Sequence, residues 1–501
     1  MNLAAMLDRA ANNLPEHECL WYQGKGWTYS QVKELAEKAA GLFQSWGLRK
    51  GDKVAIMSFN TPSFVYGLWG TVKAGGVLVP VNHKLMSPEV DYILENSGAK
   101  IFIFDGALNE VAKKLKSTHV RMLSTDTAVE GFDHFDALLD GAPGFSEVPL
   151  ESEEMAEILY TSGTTGKPKG CMLTQRGVIM AAITTAMQMR FGEADRLLLA
   201  MPIWHSSPLN NYFMGFQYVG GATVLLREYN PLQFLRTVQD QKCTVYFGAP
   251  ISYILPLKTI PDFDQYDLSS MRVFVTGGGP ISTEMMRHLM EKYKTDKFYQ
   301  VYGMTETGPK GMTLPPADQL RKAGSIGRIG SFGAQIKLMK TEAIQAKPGD
   351  VGEIWLKTDC MMTGYYNNST ATEEAFRNGW YKSGDLARMD SDGYLYMVDR
   401  MKDMIVTGGE NVYSKEVEDV IATHPDVLEC AIVGLPHPEW GETVTAFIVP
   451  TEGKILEDET ILSFLYDKLA KYKIPRLYKF VEALPHTPSG KVIKYKLREM
   501  A

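Results

Sequence analysis

The sequence predicts an α/β protein: a large N-terminal domain with mixed and parallel sheets in a layered α/β arrangement, plus a small α+β C-terminal domain joined by a short hinge. Three observations predict it. At 501 residues the chain exceeds the size at which a single hydrophobic core stops growing. Apolar, β-branched runs alternate with segments of helical period along most of its length. Beyond Arg400 a shorter series of elements fills about 100 residues, an ordinary size for a small domain.

Each element follows from local pattern. Val54–Met57 reads as a strand, Ser63–Lys73 as a helix and Val77–Pro80 as the next strand. Helix Ser87–Asn96 and strand Ile101–Phe104 continue the series. This βαβ spacing implies parallel strands joined by crossover helices. The same texture returns at the strands Arg196–Ala200, Ala222–Leu226, Thr244–Phe247 and Arg272–Thr276. From Pro348 to Leu356 a Pro-Gly turn feeds a strand, and Asp392-Gly393 before Tyr394–Val398 is a hairpin signal. The C-terminal part reads as helix Ser414–Thr423, strands Val427–Val433 and Val444–Val449, helix Asp458–Lys471 and strand Leu477–Val481. No Pro/Gly-rich tether separates the parts, so the boundary falls at a short hinge within Asp399–Asp403, giving domains 1–399 and 400–501.

Composition excludes several classes. The formal net charge of −7 offers no basic field to displace counterions, so nucleic acid is not an expected partner. The five cysteines are dispersed, with no Cys-x-x-Cys pair and no metal-ligand spacing, which points to buried free thiols rather than disulfides or zinc. No apolar run approaches the length of a membrane span. The N-terminus lacks a basic region followed by a long apolar core, and Arg498-Glu499-Met500-Ala501 is not a peroxisomal address. A cytoplasmic enzyme is expected, and a homodimer would be its ordinary assembly.

Residues 160–170, Tyr-Thr-Ser-Gly-Thr-Thr-Gly-Lys-Pro-Lys-Gly, narrow the chemistry furthest. The run Glu157–Tyr160 reads as a strand ending, and a helix is expected from Leu173. Between them, glycines permit close backbone approach, and exposed N–H groups with Ser/Thr hydroxyls make an anion cradle. Lysines add positive charge, and a polyphosphate suits such a loop. The common nucleotide P-loop is excluded, because Pro168 follows Gly166-Lys167 where that pattern requires Lys-Ser/Thr. A Gly/Ser/Thr surface hairpin is the bland alternative.

This undecapeptide resembles the phosphate-binding signature of the adenylate-forming superfamily, which includes acyl-CoA synthetases, amino-acid adenylation domains and beetle luciferases. Further motifs in the family's order extend the resemblance over essentially the whole chain. It implies that Thr161, Ser162, Gly163, Thr164, Thr165, Gly166, Lys167 and Lys169 hold the ATP phosphates. Thr276–Ile281 matches the family's glycine turn, with Gly279 beside adenine and Gly278 beside the acyl group. In Gln300–Thr307, the resemblance gives Tyr302 to adenine, Thr305 to the α-phosphate and Glu306 to Mg²⁺, a hard cation that takes oxygen ligands. Asp385 would bind the ribose hydroxyls with Arg400 assisting; an ionised carboxylate accepts from two vicinal O–H donors.

Lys491 in Pro485–Val492 matches the family's catalytic lysine, a point charge between the substrate carboxylate and the α-phosphate. Arg400-Met401-Lys402-Asp403 matches the hinge motif, with Lys402 at the pivot. Gly408, Gly409 and Trp440 match residues that line the pantetheine tunnel of the CoA ligases, although Trp440 fits a core or rim position equally well.

His205, in Met201-Pro202-Ile203-Trp204-His205, stands where the superfamily's amino-acid activators usually carry an Asp for the α-ammonium group. The activated acid is therefore expected to be fatty or aryl and to lack an α-amine. His205 would border the acyl tunnel as part of the catalytic constellation. Trp204 is bulkier than the usual Phe, and the polar residues in Ser206–Asn211 fit either recognition of an acyl substituent or capping of a helix. Phe213, Phe247, Met304 and Met312 fit the tunnel lining or the core.

The resemblance thus implies an acid–thiol ligase using ATP, Mg²⁺ and coenzyme A, forming acyl-AMP and then acyl-CoA. An acyl-AMP ligase loading a separate carrier protein and a luciferase-like oxidative enzyme are the alternatives. A non-catalytic acid-binding regulator would be expected to lack Lys491, Glu306 or Asp385, and all three are present.

Overall fold

The computed structural model describes residues 1–117, 119–161, 167–279, 281–328, 330–408, 410–466, 468–486 and 492–501. The chain divides into two compact units, Met1–Ile336 with Leu356–Tyr381, and Lys337–Trp355 with Lys382–Ala501. The hinge segment expected at Asp399–Asp403 lies inside the second unit.

The first unit is built on two eight-stranded sheets. One runs in the spatial order Gly311–Leu314, Phe298–Gly303, Val273–Gly277, Val245–Gly248, Arg196–Leu199, Ala222–Leu225, Glu18–Tyr22, Lys25–Thr28. Its interior pairs are parallel and its two edge pairs antiparallel. The other has the order Gly364–Tyr365, Lys169–Thr174, Met155–Thr161, Val77–Val81, Lys53–Met57, Ala99–Asp105, Arg121–Thr125, Asp133–His134. The expected βαβ series is present: strand Lys53–Met57, helix Pro62–Lys73, strand Val77–Val81, helix Ser87–Ser97 and strand Ala99–Asp105, with parallel registers Ala55↔Val79 and Ala55↔Phe102.

Helix Pro62–Lys73 is buried at every position. Thr61 caps it through an Oγ1 that accepts Phe64 N–H at 3.3 Å, and Pro62 at its first position donates no N–H that would need a partner. It crosses helix Tyr29–Ser45 so closely that a Cβ on Gly70 would lie 2.4 Å from Cβ of Ala39. The Nζ of Lys73, at the helix end, pairs with Asp8 at 2.6 Å and Glu37 at 3.3 Å, which compensates its burial. On the other sheet, Tyr253, Tyr293, Phe274 and Phe298 pack edge-on and tilted around one another, with the Tyr253 hydroxyl 2.8 Å from Val275 O.

One element differs from expectation in kind, and helix Asp458–Tyr466 is shorter than the expected Asp458–Lys471. The segment after the glycine-rich loop is a strand, Lys169–Thr174, antiparallel to Met155–Thr161 in the register Leu159↔Cys171, and the helix starts only at Gln175. Thr174 sets that start, its Oγ1 accepting Gly177 N–H at 3.0 Å. The Gly-Cys-Met-Leu run completes a ladder before the cap residue can open the helix.

The strands Trp380–Met389 and Leu395–Arg400 pair antiparallel around the Asp392-Gly393 turn. The C-terminal elements are helix Ser414–Ile421, strands Val427–His437 and Gly441–Pro450, helix Asp458–Tyr466 and strand Leu477–Phe480. The long hairpin of 427–437 with 441–450 forms the sheet, and 477–480 joins it in parallel. All five cysteines are free, and burial pushes the thiols of Cys19, Cys243, Cys360 and Cys430 up to about 12. Among the described residues no helix is long and apolar enough to cross a membrane.

The Gly70–Ala39 crossing gives a direct test of packing. Gly70→Val is expected to destabilise the chain by about 1–3 kcal/mol, the usual cost of overpacking a tight core. Denaturant unfolding against the parent chain checks it, and an unchanged midpoint contradicts the described helix crossing.

Candidate active site

The glycine-rich connection leaves and re-enters the sheet at Thr161 and Lys169, which face each other across the ladder. Ser162, Gly163, Thr164, Thr165 and Gly166 lie outside the described residues. The flanking lysines rest over aromatic rings, Lys167 Nζ 5.5 Å from the Tyr92 centroid and Lys169 Nζ 5.1 Å from that of Tyr365. Tyr92 OH donates to Pro168 O at 3.3 Å. Aromatic faces hold cations without neutralising them by a counter-charge.

Glu306 follows strand Phe298–Gly303 in a tight 3₁₀ turn, Thr305–Thr307, closed by Gly308 at φ 67°. Glycine is required there twice over, because a Cβ would also lie 1.9 Å from Cys360 O. Glu306 Oε1 accepts the Tyr365 hydroxyl at 3.1 Å, and its backbone oxygen accepts Met362 N–H at 3.0 Å. The phenols of Tyr365 and Tyr381 are both pushed up, first by burial and then by the Glu306 charge, so both stay protonated donors. Behind the turn, Lys310 is buried with its Nζ 2.7 Å from Thr185 Oγ1, and burial lowers its pKa to about 8.

Tyr302 is half-buried on the same strand. Gln300 Nε2 donates to Gly279 O at 3.3 Å, tying the glycine turn to that strand. Gly278 adopts φ 78°, and a Cβ there would meet nothing within 4 Å.

The loop carrying His205 is set by Asn60. This buried amide donates within reach of Leu199 O (3.2 Å), Met201 O (3.1 Å) and Leu226 O (2.9 Å), and its Oδ1 accepts Ile203 N–H at 2.8 Å. His205 is exposed, and its ring lies 5.8 Å from that of Trp204. Ser206 Oγ and Thr305 Oγ1 are 2.9 Å apart, so the histidine loop and the glutamate turn are directly bonded. A π-helix, Ser207–Phe213, follows; such turns cluster at functional sites.

The structure separates the four residues expected in the tunnel or core. Phe213 and Met312 are fully buried, Met304 is half-buried, and Phe247 stacks on Tyr212 at 4.5 Å and 13°. The polar residues of the π-helix have structural partners: Asn211 Nδ2 donates to Pro309 O at 3.1 Å, and Asn210 Nδ2 donates to Glu157. Glu157 is buried in strand Met155–Thr161, and burial pushes its carboxyl up to about 7.

In the second unit, Asp385 and Arg400 face each other across the antiparallel pair, with Arg400 Nε 3.0 Å from Asp385 Oδ1. Gly384 lies within the strand at φ 67°, and its N–H donates to Glu353 Oε1 at 2.9 Å. Lys402 is exposed, and the following Asp403 is buried against Arg498 at 3.0 Å. Gly408, at φ 60°, donates its N–H to Trp440 O at 3.0 Å. Trp440 is half-buried, stacked on His437 at 4.3 Å and 8°, with Arg476 3.9 Å from its centroid. Gly409 and Lys491 lie outside the described residues. The segment bearing Lys491 is bracketed by a bridge between His486 and Val492 and by Ile493 N–H donating to Pro485 O at 2.7 Å.

Several of these residues escaped the sequence reading. Asn60, in Ser58-Phe59-Asn60-Thr61-Pro62, looks like turn material before a helix cap and carries no further signal. Tyr365 and Tyr381 carry no local signal that sets them apart from the chain's other tyrosines. Glu157, an acid inside an otherwise apolar strand, was a signal that could have been followed.

Comparison with known proteins accords with this geometry. The family model for AMP-binding enzymes matches residues 7–366, and that for the AMP-binding enzyme C-terminal domain matches residues 416–491. The chain is 33% identical to a feruloyl-CoA synthase from Amycolatopsis sp. over 98% of its length and 97% of the relative's. It is 34% identical to the long-chain-fatty-acid–CoA ligase FadD13 of Mycobacterium tuberculosis, over 94% of this chain and 92% of that one. Among solved structures, O-succinylbenzoate coenzyme A synthetase (MenE) from Bacillus subtilis, in complex with ATP and magnesium ion, superposes with a TM-score of 0.87 at 29% identity, over 98% of this chain and 99% of that one. The chain therefore belongs to the AMP-binding enzymes, the adenylate-forming superfamily that includes the acyl-CoA ligases.

Proposed function

We propose that this protein is an ATP-dependent acyl-CoA ligase for a fatty or aryl carboxylic acid without an α-amine, acting in the cytoplasm as a homodimer. The observation that carries it is the hydrogen bond between Ser206 and Thr305, which places the histidine loop beside the glutamate turn. The residues expected to meet the acid and those expected to meet the phosphates are thereby adjacent. The similarity to CoA ligases over nearly the full length supports the same reading.

In the first half-reaction the acid's carboxylate oxygen bonds to the α-phosphorus of ATP and the bond to the bridging oxygen of pyrophosphate breaks. No general base is needed, since a carboxylate is already ionised at neutral pH. In this reading Thr161, Lys167, Lys169 and the intervening residues hold the β- and γ-phosphates, and Thr305 the α-phosphate. Tyr302 and Gly279 flank adenine, and Asp385 with Arg400 takes the ribose. Lys491 offsets the charge that grows on the pentavalent phosphorus. In the second half-reaction the CoA thiol bonds to the acyl carbon and AMP leaves. Gly408, Gly409 and Trp440 guide the pantetheine arm, and Lys402 is the pivot between the two steps.

The residues present suit Mg²⁺. Mg²⁺ retains several waters and takes further oxygens from substrate phosphates, so a single protein carboxylate can serve it. Glu306, oriented by Tyr365, is the carboxylate that would hold it. When bound, Mg²⁺ would draw charge from the phosphate oxygens.

Three outcomes test this reading. A panel of fatty and aryl acids with ATP should yield acyl-CoA, followed by mass spectrometry, when CoA is supplied; product formed solely with an acyl carrier protein contradicts the choice of acceptor. Lys491→Ala should abolish adenylation while leaving thioester formation from supplied acyl-AMP largely intact, and equal loss of both steps overturns the two-step use of the C-terminal residues. Glu306→Gln should lower the adenylation rate by about 10²–10³-fold, the scale of losing one preorganised electrostatic group. An unchanged rate at limiting Mg²⁺ excludes Glu306 from metal binding.

A further inference from the structure

The loop that carries His205 is held from a second side, which the proposed reaction does not use. The indole N–H of Trp204 donates to Nδ1 of His83 at 2.9 Å. His83 stands just beyond strand Val77–Val81 and is 8% exposed. On one side its ring lies 4.5 Å from that of Phe59, and Arg227 lies 4.3 Å from the same Phe59 centroid. Arg227 is fixed in turn by Asp105 at 2.8 Å and Asp126 at 2.6 Å. On the other side, Trp204 meets His83 edge-on at 6.0 Å, and the next ring, 5.8 Å further, is His205. A continuous column therefore runs from a doubly paired arginine through Phe59, His83 and Trp204 to His205.

The donor fixes the chemistry of the imidazole. Indole N–H is a donor only, so Nδ1 of His83 is unprotonated and its proton sits on Nε2. Burial lowers the His83 pKa to about 4, and the positive charges of Lys84 and Arg227 add to that effect. The facing carboxylate, Glu228, is largely exposed and its Oε1 is 3.7 Å from Nε2. A lowered pKa means that His83 is neutral, and able to accept, throughout the pH range above it.

The other ring nitrogen sharpens the case. Nε2 is buried and has no hydrogen-bond partner among the described residues. A phenyl ring would fill the same slot against Phe59 and Trp204 without burying an unpaired donor. What imidazole alone supplies there is the acceptor for Trp204. Asn60 already fixes the backbone of this loop, so the histidine bond governs something Asn60 does not, the direction of the Trp204 side chain.

We propose that His83 is a positioning residue for acid recognition: by accepting the Trp204 indole N–H it fixes the indole as a wall beside His205, and the pair sets how the acyl end of the acid enters the site. This inference rests on the reading that His205 borders the acyl pocket. A fixed wall acts on the acid and not on the nucleotide, so its loss separates the two Michaelis constants.

The test is steady-state kinetics of the full chain with the acid varied at saturating ATP and CoA, then with ATP varied. The variants are His83→Phe, His83→Gln, Trp204→Phe, the double variant His83→Phe/Trp204→Phe, and His205→Ala. His83→Phe and Trp204→Phe should each raise KM for the acid about 5-fold, the scale of one neutral hydrogen bond. KM for ATP should stay within about 2-fold, and the double variant should be no worse than either single one. His83→Gln, whose side-chain oxygen accepts, should restore KM for the acid. His205→Ala tests the underlying pocket assignment: an unchanged KM for the acid removes that assignment and this inference with it. If His205→Ala raises KM for the acid while His83→Phe does not, the positioning role alone is overturned. Fully additive effects of the two single variants, or equal losses toward acid and ATP, also overturn it.

Discussion

The arrangement depends first on one buried carboxamide. Asn60 follows strand Lys53–Met57 of one sheet and bonds to Leu199, at the end of a strand of the other, and to Leu226, just beyond its neighbour. The same side chain holds Met201 O and Ile203 N–H, so the loop that bears His205 is fixed at the place where the two sheets are joined. An amide is the apt group, since it supplies donors and an acceptor at once without a charge to desolvate. Its orientation is set by its partners: the carbonyls require the Nδ2 side and the Ile203 N–H requires Oδ1.

From that anchor the site is assembled by short bonds between elements distant in sequence. Ser206 reaches Thr305, Asn211 reaches Pro309 O, and Tyr365 orients Glu306. Each bond fixes a group before substrate arrives, which is where enzymes gain most from electrostatics, because donors already in place need no reorganisation during reaction. The Gly308 turn belongs to the same logic. Its positive φ and its closeness to Cys360 O leave no alternative residue, and the position of Glu306 follows from it.

Much of this was legible in the sequence because it was local. The βαβ series from Lys53 to Asp105, the Asp392-Gly393 hairpin and the C-terminal strands are written as apolar runs with turn residues between them. Asp385 and Arg400 were each singled out from motifs, whereas the strand register that sets them opposite one another was not readable there. The strand Lys169–Thr174 was missed because its apolar run, Cys171–Leu173, is too short to show a periodicity, and its pairing partner decides its conformation. Asn60, His83 and Tyr365 were not legible for a related reason. Each acts through a partner far away in the chain, Asn60 on Ile203, His83 on Trp204 and Tyr365 on Glu306, and no local pattern encodes a long-range hydrogen bond.

In the proposed reaction acid and ATP react with each other at this site before CoA takes part. Exchange of labelled pyrophosphate into ATP, measured without CoA, tests it most directly because it reports the reverse of adenylation alone. The exchange is expected to require both Mg²⁺ and a fatty or aryl acid and to vanish in Lys491→Ala. Acid-dependent release of ADP and phosphate, with no pyrophosphate exchange under any acid tested, would contradict it.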